Sequence, residues 1–267
     1  MFRVLLKLGG LNIYSYGALL ALAFICGTIL AALRGQKQGI DKNKIIDLSL
    51  YIAISSVLGA RIMFVAMNWG YYMANPLDII KLWEGGLVFY GGLICAFIVV
   101  VFFLIKNKLP VLNVLDIFAA PLALGIAIGR IGCFLNGCCY GKISPRFGVS
   151  YPAFGDPPAF YQQVADGLIS GNARCSLPVL PTQLYLSAAC LVIFFFLWRL
   201  EQRRNFPGFL FWVFILLYSF SRFMIEGLRY YDANFMLYGI SVSQWISLLL
   251  MAISAAAIII GYRNRNH

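Results

Sequence analysis

Seven long apolar runs, separated by shorter polar segments, dominate the pattern of the chain. Each run is close to the about 20 residues that a helix needs to cross the hydrocarbon core of a bilayer. The runs cover residues 16–33, 45–67, 87–105, 112–135, 182–198, 207–228 and 241–262. A polar stretch with five prolines, residues 136–180, separates the fourth run from the fifth. The pattern predicts an all-α polytopic membrane protein with seven transmembrane helices, forming a single integral membrane domain over residues 1–267.

The composition supports a membrane location. Of the 267 residues, 61% are hydrophobic and 12% are charged, and the mean hydropathy is +0.83. A soluble domain is about half apolar and about a quarter charged, and a disordered chain has few aromatic residues, so both classes are excluded. The net charge of +11 would suggest nucleic acid in a soluble protein. Cytoplasmic loops of membrane proteins are enriched in Lys and Arg, so we expect no nucleic-acid partner.

The distribution of Lys and Arg over the loops predicts the orientation. Loops 34–44, 106–108 and 199–204, together with the tail 263–267, hold eleven of these residues. Because the cytoplasmic side carries the excess of Lys and Arg, these segments are expected in the cytoplasm. The N-terminus and the loop 136–180 then face outward, and the C-terminus is cytoplasmic. Residues 1–14 are too short to span the membrane and are expected at its interface.

Four ionisable side chains lie inside or at the edge of the apolar runs, where inserting a charge costs about 2.5–3.5 kcal/mol. They are Arg61, Arg130, Arg222 and Glu226. The predicted orientation places all four near the outer ends of their helices. Other polar residues fall at the same level, namely Tyr16, Tyr90, Gln183, Tyr185 and Gln244. The sequence therefore predicts one polar site just inside the outer leaflet.

The charges of the sixth run indicate what this site binds. Arg222 and Glu226 are four residues apart and share a helix face, and Arg229 continues the row. One interpretation is an ion pair that neutralises itself so that the helix end can insert. However, the three arginines at this depth, Arg61, Arg130 and Arg222, with one carboxylate leave a surplus of positive charge. Guanidinium groups suit bidentate phosphate binding, and the abundant anion at this depth is a phospholipid head group.

The cysteine pattern around the end of the fourth run resembles a metal cluster, with Cys133 followed by Cys138 and Cys139. A metal site is not expected, because the one histidine, His267, lies at the opposite side. A fourth ligand would require Cys175 and a large rearrangement. A disulfide from Cys138 or Cys139 to Cys175 is an alternative, since the outer compartment can be oxidising.

Glycines are concentrated in and after the same run. Gly125 and Gly129 are typical of close helix packing. Gly137 and Gly141 lie beyond the end of the run, where glycine allows the backbone to approach other atoms closely. These two favour a loop moulded around a ligand.

Residues 129–141 read GRIGCFLNGCCYG, which resembles the signature of the prolipoprotein diacylglyceryl transferase family. Further matches follow in the family's order: Tyr16-Gly17, Gly59-Ala60-Arg61, WEGGLVFYGG at 83–92, PTQLY at 181–185 and YSFSRFMIE at 218–226. The order and spacing agree over about residues 12–262. One short match would be weak evidence, but the set as a whole is specific.

The resemblance implies a transferase that moves the diacylglyceryl group of phosphatidylglycerol onto the thiol of the lipobox cysteine of a prolipoprotein. This reaction is the first step of lipoprotein maturation. The implied location is the bacterial cytoplasmic (inner) membrane, with the active site toward the outer leaflet and no cofactor. The partners would be phosphatidylglycerol, the lipobox segment of the prolipoprotein signal peptide and membrane lipid. Since the nucleophilic sulfur belongs to the substrate, none of this chain's cysteines is expected to be the nucleophile.

The resemblance also implies roles for single residues. Arg130 would bind the phosphate, and Arg222 would bind the head group or the leaving phosphate. Glu226 would orient Arg222 or take part in proton transfer, and Tyr90 is a further candidate catalytic residue. The substrate-binding candidates besides Arg130 are Tyr16, Arg61, Asn136, Gly141, Gln183, Tyr185, Tyr218 and Arg229. Asn136 and Gly141 are expected to shape the head-group pocket.

The chain departs from the family pattern in its proton-handling residues. Tyr90 stands where many members carry a histidine proposed as the base, and tyrosine, with a reference pKa of about 10, is a poor base. Cys133 replaces an asparagine and Cys138 a glutamate, while Leu180 and Leu186 stand where a histidine and a glutamate are frequent. These changes leave open a family paralogue with an altered acceptor. A lipid transporter or flippase is the alternative outside the family.

Overall fold

The computed structural model describes residues 4–8, 11–81, 85–230, 236–237 and 239–265, and it is mostly helical there. The α-helices in these residues are α1 (Ser15–Lys37), α2 (Lys42–Met67), α3 (Trp69–Ala74), α4 (Phe89–Lys106), α5 (Val111–Asn136), α6 (Pro158–Ala165), α7 (Thr182–Leu200), α8 (Phe209–Glu226) and α9 (Val242–Arg265). All except α3 and α6 are long and apolar enough to cross a membrane. The predicted all-α fold with seven membrane helices is confirmed, and the orientation in the membrane stays a prediction.

The helix ends differ from the ends of the apolar runs. α1 continues to Lys37, past the predicted end at residue 33, and α2 begins at Lys42 rather than at residue 45. Hydropathy marks the part of a helix that lies in hydrocarbon, whereas the backbone hydrogen bonds continue into polar flanks. α8 begins at Phe209 rather than at residue 207, because Gly208 has a φ of +88° and lies outside the helix.

The described residues fall into two compact units. One consists of residues 28–114, and the other of residues within 1–27 and 115–267. The first contains α2, α3 and α4, and the second contains α7, α8 and α9 with nearly all of α5. The single membrane domain predicted from the sequence stays a prediction, and the two units are described separately.

Within residues 28–114, α2 and α4 pack with their backbones in contact. A Cβ atom placed on Gly59 would lie 2.5 Å from the carbonyl oxygen of Gly91, and one on Gly92 would lie 2.6 Å from the carbonyl oxygen of Ser56. Distances this short leave no room for a side chain. Small residues serve the same purpose in other membrane helices, where they allow close backbone approach.

In the other unit, α5, α7 and α8 share a buried core. Ala127, Leu186 and Cys190 form its centre, and Tyr218 packs against it. The Ser187 hydroxyl donates a 2.8 Å hydrogen bond to the carbonyl of Ala127 and joins α7 to α5 directly. α8 also packs against α9. This core fixes the ends of α5, α7 and α8 at which the predicted site residues lie.

A buried carboxylate that the sequence analysis did not single out caps the N-terminus of α8. Asp116 of α5 is fully buried, and its two oxygens accept hydrogen bonds from the N–H groups of Gly208 (2.8 Å) and Phe211 (2.9 Å). The first N–H groups of a helix have no partner within the helix. Asp116 therefore provides the N-terminal cap from a neighbouring helix instead of from the local sequence.

The loop 136–180 is folded. It contains α6, and Tyr151, Ala159 and Val179 form a small buried core within it. Two antiparallel hairpins complete the described structure: β1 (Val4–Leu8) with β2 (Leu11–Tyr14), and β3 (Met236–Leu237) with β4 (Ile240–Ser241). The sequence analysis placed residues 1–14 at the membrane interface without predicting strands there.

Candidate active site

The end of α5 determines the shape of the site. Gly137 follows the last helical residue, Asn136, and has a φ of +76°. The N–H of Cys138 donates to the carbonyl of Cys133 (3.2 Å), and the N–H of Gly137 donates to the carbonyl of Phe134 (3.1 Å). These two bonds form a Schellman motif, in which a left-handed glycine ends a helix. The motif turns the chain back and places Cys138 over Cys133.

Three thiols converge at this turn. The Sγ atoms of Cys133, Cys138 and Cys139 all lie within 4.8 Å of one another. Cys139 has a φ of +61°, a backbone conformation that is uncommon for a residue with a side chain. Hydrogen bonds from Cys133 and Cys138, together with the nearby Arg229 and Arg130, lower the pKa of the Cys139 thiol. The sequence analysis noted the spacing of these cysteines and expected Cys175 to be distant, and Cys175 is not part of this group.

The disulfide considered from the sequence is not formed. All seven cysteines lie in described residues, and all are free thiols. Cys175 is exposed, and its backbone forms a bridge with Pro152 in the outer part of the loop.

The start of α7 holds the turn in place. Gln183, which is almost fully buried, donates through Nε2 to the carbonyl of Cys138 (2.6 Å) and to the Tyr151 hydroxyl (3.3 Å). The Thr182 hydroxyl donates to the carbonyl of Cys139 (2.9 Å). Burial raises the pKa of the Tyr151 hydroxyl, so this group stays protonated. Gln183 therefore positions the turn through its nitrogen, while its Oε1 is buried without a partner among the described residues.

Gly141 faces protein atoms rather than open space. A Cβ atom placed on it would lie 2.7 Å from both the carbonyl oxygen of Leu228 and the methyl group of Thr182. Its backbone bridges to Arg229, just beyond the end of α8. The glycine allows the turn to run against the segment after α8, and a role of Gly141 in a head-group pocket stays a prediction. Gly137 likewise faces side chains of the loop.

Glu226 lies between two arginines at the end of α8. The Arg222 Nη2 atom is 2.9 Å from Glu226 Oε2, and the Arg229 Nη1 atom is 3.3 Å from Glu226 Oε1. The Glu226 side chain is fully buried, whereas those of Arg222 and Arg229 are each 17% exposed. The predicted pairing of Arg222 with Glu226 is confirmed. Since both carboxylate oxygens are engaged, the atoms of this cluster that remain accessible belong to the arginines.

Arg130 lies in the same region. Its guanidinium is next to the Tyr218 hydroxyl and close to the Cys139 thiol, which in turn is close to Arg229. The Tyr16 side chain is near both Arg130 and the thiols. No carboxylate within the described part of the chain pairs with Arg130. Positive charge is in surplus around the ends of α5 and α8, with Arg130, Arg222 and Arg229 against one carboxylate. Arg229 takes the place of Arg61, which the sequence analysis had counted in this surplus.

Arg61 does not have the free guanidinium that a phosphate ligand needs. Its Nε donates to the carbonyl of Ile79 (2.9 Å), Nη1 to that of Gly85 (2.7 Å) and Nη2 to that of Asp78 (2.6 Å). Two more carbonyls of the same loop accept longer bonds. The expectation that Arg61 binds substrate is corrected, because every nitrogen of its guanidinium is already used to hold the loop against α2.

Tyr90 belongs to the unit formed by residues 28–114. It lies in the first turn of α4, and its side chain is 65% exposed, so its hydroxyl is accessible. Trp83 and Glu84, which precede it in the family motif, lie outside the described residues. Tyr185, another predicted binding residue, is partly exposed on α7.

Gln244, expected at the level of the site, serves the start of α9. Its Oε1 accepts from the N–H of Ser241 (3.0 Å), and its own N–H donates to the Ser241 hydroxyl (3.2 Å). This reciprocal arrangement is a capping box. The Ser-x-x-Gln spacing before an apolar run would have predicted this role.

The fold and these residues define a polytopic membrane protein with a cluster of three arginines and one buried carboxylate around the ends of α5 and α8. Comparison with known proteins makes the class specific. The family described as prolipoprotein diacylglyceryl transferase matches residues 3–260, and the chain belongs to this family.

Named relatives cover nearly the whole chain. The phosphatidylglycerol–prolipoprotein diacylglyceryl transferase of Pediococcus pentosaceus is 35% identical over 246 residues, which are 91% of this chain and 84% of the relative. The enzyme of Streptococcus equi subsp. zooepidemicus is 32% identical, over 97% of this chain and 95% of the relative. The phosphatidylglycerol–prolipoprotein diacylglyceryl transferase 2 of Clostridium perfringens is 31% identical, over 93% of this chain and 91% of the relative. The chain is therefore a transferase of this family, as its motifs indicated.

Proposed function

We propose that this chain transfers the diacylglyceryl group of phosphatidylglycerol to the lipobox cysteine of a prolipoprotein. The reaction takes place at the outer leaflet of the bacterial cytoplasmic membrane. The observation that carries this proposal is the surplus of positive charge where Arg130 adjoins the Arg222–Glu226–Arg229 cluster. A buried surplus of guanidinium groups favours a phosphate ligand, and phosphatidylglycerol carries its phosphate at this depth.

The chemistry explains why a phosphate site is needed. The substrate sulfur forms a bond to the glyceryl carbon, the bond from that carbon to the phosphate oxygen breaks, and glycerol phosphate leaves. The cysteine loses its proton, because the thiolate is the nucleophile. Negative charge grows on the departing phosphate, and fixed guanidinium groups stabilise it more in the transition state than in the ground state.

Arg130 and Arg222 have different surroundings and therefore different roles. Arg130 has no carboxylate partner among the described residues, so its charge is available to the phosphate. Arg222 is held by Glu226 and remains partly exposed, which suits it to the glycerol head group or the leaving phosphate. Glu226 is buried and bonded on both oxygens. It orients Arg222 and Arg229, and it is a positioning residue.

The residues around the turn have supporting roles. Asn136, Gly141 and Gln183 build and hold the turn that places Cys139 between Arg130 and Arg229. Tyr218 contacts the Arg130 guanidinium and limits the directions from which a phosphate can reach it. Tyr16 and Tyr185 remain candidates for contact with the lipid.

The base that removes the thiol proton is a separate question. Tyr90 is exposed, but tyrosine is in general a poor base for a thiol. In our proposal Tyr90 does not take up the proton.

The decisive experiment is transfer in vitro from phosphatidylglycerol to a lipobox peptide, with mass spectrometry of the peptide and measurement of released glycerol phosphate. The expected result is a peptide heavier by one diacylglyceryl group, with one glycerol phosphate formed for each peptide modified. Release should require the peptide thiol and should stop when the cysteine is replaced by serine. Movement of lipid across vesicle membranes without either product would favour a flippase and would contradict the proposal.

Matched variants test the phosphate site itself. Arg130→Gln and Arg222→Gln should each lower the rate of transfer by at least about 100-fold, the magnitude typical for loss of one group that stabilises a transition-state oxyanion. Arg146→Gln removes a charge from an exposed position in the loop 136–180 and should leave the rate within about twofold. Normal transfer by folded Arg130→Gln and Arg222→Gln enzymes would show that the phosphate binds elsewhere.

A further inference from the structure

The proposed transfer makes no use of the three thiols beside Arg130. Cys133, Cys138 and Cys139 are half-buried, and their Sγ atoms lie within 4.8 Å of one another. None of the other four cysteines shares this cluster. Because the substrate supplies the nucleophilic sulfur, the transfer reaction does not explain why these three thiols lie together.

The separation of the sulfurs suits a single metal ion. Zinc binds thiolate sulfur at about 2.3 Å, so sulfurs that share a zinc ion lie about 3.8–4.0 Å apart. The three Sγ atoms of the cluster would therefore have to approach one another by no more than about 1 Å. A disulfide requires two sulfurs at about 2.05 Å and leaves the third unused.

The turn holds the three sulfurs together before any ion binds. The Schellman motif places Cys138 over Cys133. The carbonyls of Cys138 and Cys139 are each held by a side chain of α7, Gln183 and Thr182. Little backbone movement is therefore needed to close the sulfurs around an ion.

The charges nearby suit the loaded site. Three thiolates and one divalent ion carry a net charge of −1, which is costly in a half-buried position unless it is compensated. Arg130 and Arg229 lie close to Cys139 and provide positive charge at the cluster. Thiolates are soft ligands and therefore bind zinc or copper(I) in preference to magnesium or calcium.

We propose that Cys133, Cys138 and Cys139 form a binding site for a thiophilic metal ion of the zinc class, with three thiolate ligands and a fourth position open. As each metal–sulfur bond forms, the thiol releases its proton to solvent. Tyr16 and Arg130 lie close to the thiols. This site goes beyond the transfer reaction, and its metal content can be measured without an activity assay.

The test uses the full chain in detergent micelles, reduced and freed of metal, then loaded with Zn²⁺ and separated from free ion. Mass spectrometry of the metal should find about one Zn²⁺ per chain. Loading with Co²⁺ should give the intense near-ultraviolet absorption of cobalt–thiolate bonds. Each of Cys133→Ser, Cys138→Ser and Cys139→Ser removes a metal ligand and should lower the affinity for Zn²⁺ by more than about 100-fold. Loss of a residue that only supports a ligand lowers the affinity by about 10- to 100-fold. Cys175→Ser, at an exposed cysteine, should bind as the unmodified protein does.

A second measurement needs no variant and remains informative if the serine variants fail to fold. Zn²⁺ should slow alkylation of Cys133, Cys138 and Cys139 in the unmodified protein, read from their peptides by mass spectrometry, and leave Cys175 at its original rate. Absence of retained metal in the reduced protein, or equal retention when all three cysteines are serine, would overturn the proposal. Equal alkylation of the cluster with and without Zn²⁺ would do the same.

Discussion

The Gln183 side chain donates a 2.6 Å hydrogen bond from Nε2 to the carbonyl oxygen of Cys138. Gln183 is almost fully buried at the start of α7, and no other donor bonds to this carbonyl among the described residues. The bond connects the turn after α5 with the neighbouring helix and fixes the orientation of the residues beside Arg130.

Replacing Gln183 by leucine should destabilise the protein by about 1–3 kcal/mol, because a buried carbonyl loses its donor. We also expect slower transfer by the folded fraction, since the turn is no longer held. The measurement is thermal unfolding in detergent together with the rate of transfer per folded molecule. Gln162→Leu, at an exposed position on α6, is the matched control and should change both quantities little. Equal effects of the two substitutions would argue against the role of the hydrogen bond.

Arg61→Lys should lower the free energy of unfolding by at least about 2 kcal/mol. The guanidinium donates to carbonyls of Ile79, Gly85 and Asp78, and a lysine ammonium cannot reproduce these directions. The KM for phosphatidylglycerol of the folded variant should stay close to that of the unmodified protein. A raised KM with unchanged stability would instead restore Arg61 to the substrate-binding residues.

Glu226→Gln should be strongly destabilising, by about 3–5 kcal/mol, because it leaves two arginines without their buried counter-charge. Adding Arg222→Gln should recover part of the lost stability while transfer stays low, since the double variant no longer contains the unpaired charge of Arg222. Thermal unfolding and transfer rates of the two single variants and the double variant complete the cycle. Strictly additive losses of stability would mean that the 2.9 Å pair contributes nothing of its own.

Gly59→Ala should destabilise the protein by about 1–3 kcal/mol, the usual cost of overpacking. The new methyl group would lie 2.5 Å from the carbonyl oxygen of Gly91, so α2 and α4 would have to separate. Gly70→Ala places the same group where no atom lies within 4 Å and provides the control in thermal unfolding. If both variants unfold at the temperature of the unmodified protein, the close helix contact is not needed for stability.

The sequence was sufficient to predict the seven membrane helices, because a bilayer requires long apolar segments whatever their tertiary contacts. It was also sufficient for the Arg222–Glu226 pair, since both residues lie on one helix and their spacing fixes their relation. Contacts between distant segments were not predictable in this way. The carbonyls that bind Arg61 belong to residues 78–86, and the sequence of this segment does not indicate how its backbone lies against α2.

Local signals would have improved two predictions. Asn136-Gly137 after an apolar run is a helix-ending signal, and it predicts the turn that brings Cys138 back over Cys133. Ser241 and Gln244 have the spacing of a capping box. Asp116 offered no such signal, because the helix that it caps begins at Phe209, far along the chain.

The backbone after α5 is bonded along both of its edges. Gly141 donates to the carbonyl of Leu180 and Lys142 to that of Leu228, both at 2.8 Å, while Leu180 donates back to Lys142 at 3.0 Å. These bonds connect the ends of α5, α7 and α8, and separating the ends would leave several main-chain groups without partners. We therefore expect the ends of these three helices to stay together throughout the reaction.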